Sequence, residues 1–255
     1  MASPSRPLAA GALAALAFAS TVHAMGGPDC TPEDLAPVEA WLAQHPWTAG
    51  AVTADARVAA ACKAWPFDKR VLIVAAAYAQ DKEQHKNLVV ALVDTSARAV
   101  RSAFQGAVRE DASWSVAQGS LRIDTAPYDL APGVRAIGVD VSSAPVAGTL
   151  VRDGVTAARS LFVPDGAQLR LVLDGFVLTT WRKTADAEPA TSSAKIALDA
   201  HRTNGFADLR ATRTTTGPGA PRLEHTTLVY DGSRYAAGAG WCVPQVTAQV
   251  GTPQR

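Results

Sequence analysis

Residue order and turn chemistry predict a mainly β (α+β) protein: an antiparallel β-sandwich or propeller-blade-like meander with a small N-terminal helical cap. Three observations predict this class. Asn204-Gly205, the dipeptide suited to a two-residue type I′ turn, separates two alternating runs over 195–214. Apolar and β-branched runs recur at 71–78, 87–94, 134–141 and 223–230 between Gly, Pro and Asp-Gly punctuation. The clearest helical periodicity lies before residue 66.

Residues 1–24 place Arg6 ahead of an apolar run over 8–19 and end on Val22-His23-Ala24. This is the pattern of a secretory signal peptide cut after Ala24. The run is too short for a bilayer span, and no later stretch is long and apolar enough. The expected mature chain is exported, periplasmic or secreted, with no transmembrane segment. Lys+Arg number 24 against Asp+Glu 23, and Arg6 leaves with the leader. An electroneutral chain lacks the cationic field that nucleic acid or an anionic membrane surface requires, so neither is expected as a partner. Cys30, Cys62 and Cys242 all follow the cut, into a compartment where disulfides persist. Cys30 and Cys62 flank the N-terminal helical region and are the expected pair, with Cys62 to Cys242 the rival pairing. No CxxC occurs, which leaves a redox motif or zinc knuckle without support.

Taking the chain in order, Thr31-Pro32-Glu33-Asp34 supplies an N-cap, a proline at the first helical position and early acids. Leu35, Val38, Trp41 and Leu42 recur at helical spacing, predicting a helix to about Gln44. A second helix is expected over 53–63, from the small-residue face of Val52, Ala56, Ala59, Ala60 and Cys62, and Trp65-Pro66 ends it. Together 25–66 make the cap. A first β module, 67–141, opens with a strand over 71–78, whose β-branched start outweighs the helix preference of its alanines. It continues through 87–94, 97–105, 121–124 and 134–141, with Ala126-Pro127-Tyr128-Asp129 as a turn.

The Pro/Gly/Ser-bearing stretch 142–148 is the expected boundary with a second β module, 149–235. There, Asp174-Gly175 either closes a hairpin or bulges one long strand, and 184–193 reads as a polar loop. The Asn204-Gly205 hairpin sets Thr203 opposite Phe206, His201 opposite Asp208, Ala200 opposite Leu209 and Leu198 opposite Ala211. That register gives a wet face of Asp199, His201, Asp208 and Arg210 and a dry face of Ile196, Leu198, Ala200, Leu209 and Ala211. Strands near 169, 195, 206 and 223 make a four-stranded meander. The tail, 236–255, reads as an edge segment or disordered chain, anchored by Trp241 and Cys242.

Catalytic signals are sparse. Ser192-Ser193-Ala194-Lys195 matches SxxK, but in a polar loop running into a strand rather than on the helical turn that would bring the amine to the serine. GxSxG, HExxH and phosphate-cradling glycine loops are absent. His201 beside Asp208, with His225 on the following strand, is the best candidate binding or acid/base set, and the plainer reading is an exposed charged pair on a sheet face. The Asp-Gly pairs beginning at 153, 165, 174 and 231 lack alternating acidic ligands and read as turns, so no metal and no cofactor is expected. Trp47, Trp65, Trp114 and Trp181 would suit a sugar or peptide groove but are read as packing residues.

Leu161-Phe162-Val163-Pro164-Asp165-Gly166, Ala207-Asp208-Leu209-Arg210 and Tyr230-Asp231-Gly232-Ser233-Arg234-Tyr235 follow one another over the last third of the chain. In this order they resemble the C-terminal part of exported bacterial proteins of unknown function and the strand-turn cadence of FG-GAP-type blades, without the calcium-binding aspartates of that blade. The resemblance implies a β-meander and no reaction. The functional expectation is an exported, non-enzymatic binding or interaction protein whose partner is another envelope or secreted protein. The rival is a secreted hydrolase whose site is assembled from residues distant in sequence, drawing on His201, Asp208 and His225.

Overall fold

The computed structural model describes residues 30–47, 54–79, 85–144, 153–184, 187–236, 238–243 and 246–248. The expected leader, 1–24, lies outside them. Four antiparallel strands open the sheet: β1 (Arg57–Ala64), β2 (Val71–Ala79), β3 (His85–Asp94) and β4 (Ala99–Arg109). Ile73, Ala75, Leu88 and Val90 enter one core while Val74, Ala76, Val89 and Ala91 enter another. With both faces covered, continuous apolar strands replace the alternation of a half-wet sheet.

The cover on the second face is helix α1 (Pro32–Gln44), which buries Leu35, Val38 and Leu42 against it. Thr31 and Asp34 cap the helix reciprocally: Asp34 N donates to Thr31 Oγ1 at 3.2 Å and Thr31 N donates to Asp34 Oδ2 at 3.0 Å. The disulfide joins Cys30 to Cys62, as expected, and ties the start of α1 to β1.

The second expected helix is a strand. Ala54–Ala56 makes a single 3₁₀ turn and β1 follows, placing Ala59 and Ala61 in the core shared with the opposite layer and Cys62 in the core beneath α1. An alanine-rich run has helical propensity, but tight burial on two faces selects small side chains in a strand as well, and the tertiary demand prevails.

Seven more strands follow as consecutive antiparallel neighbours: β5 (Leu121–Ala131), β6 (Val134–Ser142), β7 (Asp153–Asp165), β8 (Gln168–Thr184), β9 (Ala187–Thr203), β10 (Phe206–Thr216) and β11 (Arg222–Tyr230). The two-residue β12 (Tyr235–Ala236) pairs with the end of β11. Ile123, Ile137, Val139 and Phe162 pack with the first four strands, while Leu130, Leu161, Phe176, Leu209 and Leu228 form a separate core beneath the last ones. The expected meander of strands near 169, 195, 206 and 223 is β8 to β11.

Two details differ from the sequence reading. The 126–129 turn is a bulge within β5, where Pro127 sits in the irregularity between Asp124 and Tyr128. Of the polar loop expected at 184–193, Thr184 ends β8 and 187–193 are the first part of β9, the hydroxyl side chains of 191–193 carried on a paired strand, while 185–186 lie outside the described residues. The boundary at 142–148 falls partly on residues outside those described, but β6 and β7 pair directly across it, Ile137 with Phe162 through Ser142 with Ala157. Asp174-Gly175 resolves as a bulge in one long β8, Gly175 taking φ 62°.

The tail is paired rather than loose over its described residues: Ala236 belongs to β12 at the edge of the sheet, and the later residues pack further in. β4 and β8 meet in parallel at one pair, Ala103 with Gln168, and the tail occupies the wedge between them. Val177 N donates to Trp241 O and Val243 N to Gly175 O, both at 2.9 Å, while β13 (Val246–Ala248) pairs with Gly106 to Val108 of β4. The Arg213 guanidinium lies 4.1 Å over the Trp241 ring. Gly106 makes the approach possible: a Cβ there would sit 2.5 Å from Thr247 O.

Candidate functional site

Asn204 and Gly205 take φ 48° and 85°, the positive pair a type I′ turn needs, and Thr203 pairs with Phe206 as expected. Beyond Arg202–Ala207 the register departs: Leu209 faces Leu198, not Ala200, and Ala211 faces Ile196. Residues 199–201 therefore bulge opposite Asp208 alone. The bulge leaves Ala200 exposed and turns Asp208 inward to 2% exposure, so neither belongs to the face assigned from sequence.

His201 and Asp208 do meet, as a half-buried pair rather than the expected exposed one. His201 Nδ1 lies 2.5 Å from Asp208 Oδ2, which also accepts from Thr203 Oγ1 at 3.1 Å; Asp208 Oδ1 is buried and takes no hydrogen bond. The imidazole itself is largely exposed. A carboxylate holding Nδ1 orients a ring whose other nitrogen could exchange a proton. Among the described residues no side chain hydrogen-bonds to that other nitrogen, and none completes a metal-binding group of three. His225 does not join them: its Nδ1 lies 3.1 Å from Thr212 Oγ1, four residues further along β10, about 13 Å at strand rise.

The remaining candidates are structural. Ser192 and Lys195 fall on opposite faces of β9, the serine buried and 2.6 Å from Thr180 Oγ1, the lysine exposed, so no Ser-Lys dyad forms. Asp231 folds its own turn, accepting from Ser233 N at 2.7 Å and Arg234 N at 2.8 Å, and those backbone bonds hold its carboxyl below the ordinary range. Trp47, Trp65 and Trp114 are buried packing residues, as expected. Burial, helped by the charge of Asp174, pushes the Cys242 thiol up to about 12, which suppresses its thiolate.

A buried ionic network crosses β5, β6 and β7. Arg159 grips Asp140 with both ends of its fork, Nε to Oδ1 at 2.6 Å and Nη2 to Oδ2 at 2.9 Å, and Nη1 donates to the Tyr128 hydroxyl at 2.6 Å and pairs with Asp124. Arg122 reaches the same Asp140 carboxylate. Burial works against the Arg159 charge, but the Asp140 bonds and charge outweigh it and its pKa is raised. Two cations face two anions, so the network is balanced in charge.

Sequence reasoning missed an open groove of about 420 Å³ across β7 to β10. Thr156 lines it from β7, Thr179, Thr180 and Trp181 from β8, Thr191, Ser192 and Ser193 from β9, and Thr214 and Thr216 from β10. No charged or imidazole side chain is among these residues. On the Trp181 face, hydroxyls pair across strands, Thr156 with Thr179 at 2.6 Å and Thr191 with Thr216 at 3.0 Å, while the Thr180–Ser192 pair, at 2.6 Å, lies on the opposite face. Trp181 therefore departs from the packing role expected of it. It pairs with Gly154 and Thr191, and its indole nitrogen lies 3.4 Å from where a Gly154 Cβ would be, an ordinary contact distance. The sequence signal was present as three hydroxyl clusters, Thr179-Thr180, Thr191-Ser192-Ser193 and Thr214-Thr215-Thr216.

Such a surface can donate and accept hydrogen bonds and offer an aromatic face, and among the described residues that line it none is acidic, basic or an imidazole. No family model, curated protein or solved structure matches this chain.

Proposed function

We propose that the chain is an exported binding protein of the cell envelope that holds its ligand without transforming it, through the hydroxyl-lined groove on β7 to β10. The observation that carries this reading is the separation of titratable chemistry from open space. The groove is lined by threonines, serines and one tryptophan, whereas the His201–Asp208 pair lies eight residues further along β9 from Ser193, about 27 Å at strand rise. The Cys30–Cys62 disulfide agrees with an oxidising destination, and among the described residues no helix is long and apolar enough to cross a membrane.

The carboxylate-held His201 ring supports the rival reading, hydrolysis, and one experiment separates the two. Purified protein is mixed with insoluble bacterial envelope material and, separately, with cell-wall and ester substrates. Saturable co-sedimentation with no product release is the expected outcome. Product release that disappears in His201→Ala would replace the binding reading with the hydrolytic one.

A further inference from the structure

The groove also specifies the chemistry of what it holds. We propose that it binds a short neutral glycan segment, with Trp181 as the stacking platform and the hydroxyls of Thr214 and Ser193 among its hydrogen-bond partners; this rests on the binding reading above. Three features of the surface lead there. First, its size of about 420 Å³ falls within the range of small-ligand clefts. Second, none of the described residues that line it is charged, which disfavours carboxylate, phosphate or ammonium ligands that need a counter-charge when desolvated. The charges nearest in sequence lie outside this lining: Arg182 is exposed and 3.7 Å from Asp153, Arg213 is held over the Trp241 ring, and Lys183 and Lys195, two residues from Trp181 and Ser193, are exposed.

Third, the backbone beneath it is already used. Thr180 pairs with Ser192, Ser193 with both Thr179 and Thr214, and Thr191 with Trp181 and Thr216. An extended peptide recognises a sheet by adding to a free ladder, and the centre of this groove has none to offer. What it does offer are hydroxyls that both donate and accept, those of Thr156 with Thr179 and Thr191 with Thr216 already joined in pairs that keep a lone pair free, beside a half-buried indole. A sugar ring presents the complementary set: hydroxyls around its rim and a face of C–H groups to lie on an aromatic ring.

The test is calorimetric titration of the full chain with three neutral probes: chitotetraose, cellotetraose and maltotetraose. Saturable binding of at least one is expected, weakened about tenfold or more by Trp181→Ala and severalfold by Thr214→Val, which keeps the β-branched shape and removes one hydroxyl. His201→Ala is expected to bind as the unaltered chain does. Urea midpoints of each variant show whether it is folded, and Thr214→Val carries the test if Trp181→Ala is not. Failure of all three sugars up to about 10 mM overturns the proposal, as does binding untouched by both groove variants. Binding of a neutral Gly-Ser-Asn hexapeptide, lost in Trp181→Ala while the sugars fail, also overturns it in favour of a peptide. Envelope co-sedimentation that persists in Trp181→Ala locates the ligand elsewhere: the glycan inference then falls while the binding reading stands.

Discussion

Replacing Asp140 by alanine isolates what the buried network contributes. Asp140 is 1% exposed and Arg159 8%, so the substitution strips the guanidinium of the carboxylate that holds its Nε and Nη2 and leaves a cation in the interior with only Asp124 and the Tyr128 hydroxyl on Nη1. Breaking one partner of such a pair costs about 3–5 kcal/mol, because the surviving charge stays desolvated. The double variant Asp140→Leu/Arg159→Met removes both charges, and it should be at least about 1 kcal/mol more stable than the single one, because no guanidinium is left buried without its carboxylate. Urea unfolding followed by tryptophan fluorescence measures both, with a repeat at about 1 M salt, where a buried pair keeps its value and an exposed one loses it. A single-variant cost below about 1 kcal/mol, or one that vanishes in salt, would refute the claim that the network is buried and internally neutralised.

Three more outcomes follow from the fold. Cys30→Ser, which opens the 32-residue separation between α1 and β1, should lower stability by about 2–4 kcal/mol in urea unfolding under oxidising conditions and have no effect under reducing ones. Gly106→Ala drives a methyl group into Thr247 O and the Phe104 ring, so it should cost about 1–3 kcal/mol and make the C-terminal segment sensitive to carboxypeptidase. Burial holds the Tyr78 and Tyr128 phenols at about 12, above the ordinary 10. Their raised folded values contribute stability that is complete below pH 10 and is lost as pH rises towards 12, so the urea midpoint should fall across that window and fall less in Tyr128→Phe.

Much of the architecture was legible from local signals. The Asn204-Gly205 turn, the Thr31 to Asp34 capping box, the Cys30–Cys62 pairing and the β8 to β11 meander all follow from chemistry within a few residues or from spacing along the chain. What escaped depends on partners far away in sequence. β1 looks helical until α1 and the opposite layer press on both of its faces. The tail looks loose until β4 and β8 leave a wedge for it, although Gly106 within an apolar strand was the available sign of a close backbone approach. The bulge at 199–201 has no local signature, and it alone turns Asp208 from a wet position to a buried one.

The candidate site was less legible for a related reason. His201 and Asp208 attract attention because their chemistry is reactive in isolation, whereas threonine, serine and tryptophan gain a role only when four strands align them. Reading 184–193 as a loop broke that alignment, since β9 is the strand that joins Trp181 to Thr214 and Thr216.

The most direct measurement of the central claim is a map of where envelope material touches the protein. Isotope-labelled full chain is titrated with a neutral glycan fraction from bacterial envelopes, and amide chemical shifts are followed residue by residue. Perturbations concentrated at 179–181, 191–193 and 214–216, with 201 and 208 unmoved, are predicted. Perturbations centred on His201 and Asp208, accompanied by breakdown of the added material, would contradict the account.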